Sequence, residues 1–126
     1  MRTSISVLAL LIVVTAPLTV GAQDNPFNGT WHASFKTGRG IDRDGTVVFD
    51  NNTGSWDVNT SNRNDPCVGR KFPLAVEQAN AEGIDFSVNG SQVLAGCPDR
   101  KMHLKSVDAV TLEGAMNGAP LILKKK

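Results

Sequence analysis

The sequence predicts an all-β fold: a single antiparallel up-and-down barrel or sandwich of about eight short strands, held by one disulfide. Three observations carry this expectation. Apolar residues recur at every second position through most of the chain, and no segment sustains the spacing of a helix face. Asn-, Asp- and Gly-bearing turns interrupt that alternation every ~8–12 residues, the spacing of a small barrel or sandwich. Two cysteines, Cys67 and Cys97, bracket the central part of the chain.

The first element is a leader. Arg2 supplies a positive start, Val7 to Val14 are apolar without a break, and Val20 and Ala22 place small residues at the −3 and −1 positions of a cleavage site. This is the pattern of a secretory signal peptide over residues 1–22, because the apolar run is too short for a membrane span. Gln23 follows the expected cut where a lipoprotein would have cysteine. Residues 23–126 then form one domain with a modest core. Export together with two cysteines implies an oxidising compartment, periplasmic or extracellular, and a Cys67–Cys97 disulfide. Closing a loop of about 30 residues stabilises a fold by roughly 3–4 kcal/mol in the chain-entropy account.

The strands follow in order. In TWHASFK, Trp31, Ala33 and Phe35 share one face while His32, Ser34 and Lys36 take the other. TGRGIDRDG reads as a connection, and TVVFD resumes with Val47 and Phe49 on one side. NNTG is a hairpin signal, since Asn and Gly tolerate left-handed backbone. SWDVN presents Trp56 and Val58; after the polar passage TSNRNDPCVGR, KFPLAVEQ aligns Phe72, Leu74 and Val76. Pro73 cannot donate to a ladder and marks an edge, a strand start or a bulge. IDFSVN aligns Ile84, Phe86 and Val88, and a short strand is expected near Val93 to Ala95. KMHLKSV (Met102, Leu104), VTLEGAM (Val110, Leu112, Met116) and PLILK (Leu121, Leu123) close the chain. Short turns join nearly all of these, so a meander is the simplest topology.

The opening NGTW, Asn28 to Trp31, with a strand tryptophan near the start of an antiparallel meander, resembles the calycins, the lipocalin and avidin-like barrels. The likeness rests on Gly29-x-Trp31 and on strand count. The chain is also similar to uncharacterised small exported bacterial β-proteins with a G-T-W opening and a later C-P-D. The calycin resemblance implies a small ligand held inside the barrel, and it carries over no binding residue.

Charge narrows the partners. The full chain has a formal charge of +1, and the loss of Arg2 with the leader brings it to zero. No basic footprint for nucleic acid or an anionic membrane exists, and no stable membrane insertion is expected. Lys124 to Lys126 read as a solvated tail. His32 and His103 fall on outward positions with no third group placed beside them, so no catalytic residue is assigned and the chain reads as non-enzymatic. IDRDG resembles part of a calcium loop, yet Gly40 stands at its opening position and Asn51 at its terminal one, so it reads as a turn. No metal or cofactor is expected. The triplets at Asn28, Asn51, Asn59 and Asn89 read as turn residues rather than glycosylation acceptors.

A candidate surface remains. Bonded cysteines hold their α-carbons roughly 4.4–6.8 Å apart, which gathers NRNDPCVGR and GCPDRK and with them Arg63, Asp65, Arg70, Asp99 and Arg100. Arginines on a stapled loop can present paired donors to a carboxylate or a partner chain; alternatively these charges pair with one another. The inward face is uniformly apolar, so the interior is expected to be filled by its own side chains. The expected function is an exported non-enzymatic binding module acting on a protein or envelope partner through the stapled loops, for example a periplasmic inhibitor or immunity-type protein. The alternative is a calycin-like carrier of a small apolar ligand.

Overall fold

The computed structural model describes residues 11–14, 24–59, 65–116 and 118–126; the expected leader and its cleavage site lie mostly outside them. Eight antiparallel strands form the molecule: β1 (Gly29–Lys36), β2 (Asp42–Asp50), β3 (Thr53–Val58), β4 (Lys71–Asn80), β5 (Gly83–Asn89), β6 (Asp99–Asp108), β7 (Thr111–Met116) and β8 (Ala119–Lys125). Each pairs with its neighbour in sequence, and β1 also pairs with β8, from Trp31↔Lys125 to Ser34↔Ile122. That last ladder makes the sheet a closed barrel, deciding between the barrel and sandwich forms of the expectation.

Alternation sets the core. Trp31, Phe49, Phe86, Leu104, Leu112 and Leu121 are among the fully buried side chains, all at inward positions where burial removes apolar surface from water at ~25 cal/mol per Å². Ala33 sits opposite both Gly45 of β2 and Leu123 of β8, and its small side chain is completely buried there.

The two ends of the barrel differ. At one end β2–β3, β4–β5 and β6–β7 are joined by tight turns. The segment before β1 closes this end: Phe27 is buried edge-on against Trp31 at 6.3 Å, and Trp31 Nε1 donates to the Phe27 carbonyl at 2.8 Å. Asn28 clamps the β2–β3 turn, donating from Nδ2 to Asn51 Oδ1 (2.8 Å) and accepting the Asn51 N–H (2.7 Å), while Asn51 takes φ +54°. At the opposite end the β1–β2, β3–β4 and β5–β6 connections gather, the latter two being the longest in the fold.

Three local expectations change. First, DRDG belongs to β2 rather than to a connection. Thr37 and Ile41 close a tight turn (Thr37 N–H to Ile41 O, 2.9 Å), after which Asp42 pairs with Lys36 at 2.6 Å. Cross-strand ion pairing makes strand positions of residues whose composition suggests a loop. Second, no strand forms at Val93 to Ala95; a 3-10 turn covers Gly90–Gln92. The N–H groups of Val93 and Leu94 both bond the Gly90 carbonyl, at 3.1 and 3.2 Å, so neither is available for a ladder. Third, Val110 is exposed and Thr111 buried. Asp108 Oδ1 accepts the Val110 N–H at 2.9 Å, a side-chain turn that delays β7 to Thr111. Pro73 pairs with Ser55 of β3, and the ladder to β5 begins one residue later at Leu74↔Val88. The missing donor thus sits at the third residue of β4, on the stretch that is paired with β3 and not yet with β5.

Candidate functional site

The long connections at the open end are tied together by the Cys67–Cys97 disulfide, whose α-carbons are 5.5 Å apart. Cys67 lies on the β3–β4 connection and Cys97 on the β5–β6 connection. Such a bond belongs to oxidising compartments, in keeping with export. Gly90 lies beneath it; a β-carbon there would stand 2.6 Å from the Pro98 carbonyl oxygen and 3.2 Å from Cys97 Cβ. The close approach of two loops to each other therefore depends on a residue without a side chain.

Below these loops the barrel opens into a cavity of about 740 Å³. Its apolar wall is the uppermost inward layer, including Phe35, Trp56, Phe72, Val88, Met102 and Met116. The expectation of a filled interior therefore holds for the closed half and not for this end. Val58, Val88 and Met116 occupy the last inward positions of β3, β5 and β7, and all three line the cavity. The volume falls within the roughly 300–1,000 Å³ of small-molecule sites.

Charge is concentrated on the same rim. Arg39, Arg43, Arg70 and Arg100 line the cavity, and among the described residues Asp65 is its sole acidic lining residue. Arg43 holds an inward position on β2, where exposure alternates from Asp42 through Arg43 and Asp44 to buried Gly45. Arg70 and Arg100 stand two residues before buried Phe72 and Met102 on β4 and β6, so they occupy the same phase of the alternation. Arginine thus stands at the cavity end of three alternate strands, β2, β4 and β6. Arg70 is fixed by its own loop, Nε donating to the Pro66 carbonyl at 2.6 Å. Asp65 is engaged locally, its Oδ1 accepting the Cys67 N–H at 2.9 Å.

No family model, curated protein or solved structure matches the chain.

Of the five residues singled out in the sequence, Asp65, Arg70 and Arg100 meet at the cavity. Asp99 does not line it; its carboxylate accepts the Ser91 N–H at 3.0 Å and the Ser91 hydroxyl at 2.8 Å, and these bonds hold its carboxyl below the ordinary value. Arg63 lies outside the described residues. Arg39 and Arg43 escaped sequence reasoning because TGRGIDRDG was read as connection throughout. The signal that would have found Arg43 is its position two residues before Gly45, in phase with Val47 and Phe49.

The histidines lie on the outer wall. His32 Nε2 is 3.0 Å from Asp44 Oδ2, and His103 Nδ1 bonds Asp85 across β5 and β6. The bond from His32 is the main reason the Asp44 carboxyl is held below its ordinary value. Each is a pair on the outward-facing side of the sheet, with both partners more than a third exposed. Among the described residues no cluster of three or more His, Cys, Asp or Glu is arranged to hold a metal ion, and no helix is long and apolar enough to cross a membrane.

Proposed function

We propose that this protein is an exported, non-enzymatic binding barrel that takes a small ligand, mainly apolar in body, into the mouth framed by its disulfide-linked loops. The observation that carries the reading is the open cavity itself. It has aromatic and aliphatic walls, is about 740 Å³ in volume, and lies at the end where the longest loops and the disulfide gather. A concave, mainly apolar site with a few convergent polar groups is the usual form of a small-molecule site. The closed half supplies a rigid, densely packed base for it.

Two measurements test this. Native mass spectrometry of freshly purified protein should show a retained mass or accept an added ligand, and the neutral fluorophore N-phenyl-1-naphthylamine should brighten on binding. Filling the mouth with Val58→Trp should abolish that signal while leaving the fold intact by circular dichroism. Absence of both extra mass and fluorophore uptake in the wild type would discard the reading.

A second reading is a protein or envelope partner docking across the same rim, as a periplasmic inhibitor or immunity-type protein would. Ile41 favours it, being 46% exposed at the cavity edge. A partner recovered by pull-down that binds wild type and Val58→Trp equally, and loses affinity in Arg70→Ala with Arg100→Ala, would select this reading over the first.

A further inference from the structure

We infer that the mouth selects an amphiphile with an anionic head group, its apolar body in the cavity and its head among Arg43, Arg70 and Arg100. The inference rests on the reading of the mouth as a ligand site and names the chemical class of the ligand.

Three features of the rim converge on it. The lining residues carry four arginines against one aspartate, a formal charge of +3, while the whole chain carries +1. The lining therefore carries a net positive charge well above that of the chain as a whole. A concave site with low-dielectric walls focuses that charge on whatever enters. Second, two lysines of the outer wall have carboxylate partners, Lys36 with Asp42 at 2.6 Å and Lys101 with Glu77 at 3.8 Å. At the mouth, among the described residues, no carboxylate stands within ion-pair distance of Arg39, Arg43 or Arg70. Asp65, the one acid among the described lining residues, turns one oxygen to the Cys67 N–H.

The third feature is position. Arg43 is half-buried at an inward strand position and shares its cross-strand pair with buried Phe35. A guanidinium that points into an apolar barrel loses hydration, and a bound carboxylate or similar oxyanion restores it through two parallel N–H···O bonds. Arg70 is oriented in advance, because its Nε is held by the Pro66 carbonyl on the stapled loop. A neutral ligand of the same shape would desolvate these groups without replacing their hydrogen bonds, and a cationic one would be repelled. The rim thus rewards one head-group charge only.

The test is a displacement series on the intact protein. Decanoate, decanol and decylamine, each below its micelle-forming concentration, compete with bound N-phenyl-1-naphthylamine. Decanoate should bind roughly ten- to a hundredfold more tightly than decanol, the range of a hydrogen bond to a charged group, and decylamine more weakly than either. The decanoate advantage should shrink with added salt and in Arg43→Gln with Arg70→Gln. The wild-type series stands by itself if that double variant fails to fold. Equal displacement by decanoate and decanol would overturn the charge selection while leaving a ligand-binding barrel. Fluorophore uptake with no displacement by decanoate, but co-sedimentation with phosphatidylglycerol vesicles, would overturn it in favour of a membrane surface. Failure of the fluorophore to enter at all would remove the ligand site itself.

Discussion

At Gly54 of β3 a β-carbon would lie 1.9 Å from the backbone oxygen of Val48 and 3.0 Å from Leu74 Cδ1. The obstacle is backbone, so it cannot swing aside as a side chain would. Gly54→Ala should cost roughly 1–3 kcal/mol, the usual range for overpacking, seen as a lower midpoint in urea with the fold retained. Acid sensitivity also belongs to single residues. Asp99 is held below the ordinary 3.8, chiefly by the Ser91 backbone N–H, and Asp108 likewise, chiefly by that of Val110. A carboxyl with a lower folded than unfolded pKa stabilises fully above the unfolded value, and the contribution disappears as pH falls through the folded one. The melting temperature should hold steady from neutrality to pH about 5 and fall below about 4. Asp99→Asn should flatten that fall in a melting-temperature series against pH.

Among the elements, the two stapled connections separate stability from binding. Breaking the bond with Cys67→Ser and Cys97→Ser should lower unfolding free energy by roughly 3–4 kcal/mol in the chain-entropy account, measured by chemical denaturation. The same loops wall the cavity and orient Arg70 through Pro66. Fluorophore affinity should therefore drop at temperatures where the variant is still fully folded. If affinity is unchanged there, the loops are not part of the site. The tight turns at the other end have no such double role, because their bonds, such as those of Asn51 to Asn28, hold only the closed half.

Across the whole molecule, the two ends of the barrel are built differently. Phe27 and Trp31 close one end, and arginines ring the other. Truncating the plug, Phe27→Ala, should cost ~3–5 kcal/mol as a buried aromatic does. It should leave uptake at the mouth unchanged in the same fluorescence titration, since the packed layers around Phe49 and Phe86 lie between. A matching loss of uptake would mean that the two ends are not independent.

The strand alternation and the pairing of Cys67 with Cys97 can both be read from the chain, because each depends on residues near in sequence or on a unique pair. Phe72, Leu74, Ile84 and Phe86 show their faces through a two-residue period that any paired strand must obey. Closure of β1 onto β8 is different: the two lie at opposite ends of the domain, and only the accumulated twist of the sheet brings Ala33 beside Leu123. The arginine rim is decided in the same way. Arg43 looks like a loop residue until Lys36 and Asp42 pair; its phase with Val47 gives its face, and the closed sheet brings Arg70 and Arg100 to the same mouth from other strands. Local pattern fixes which face a residue takes; only the closed sheet determines which distant residues share it.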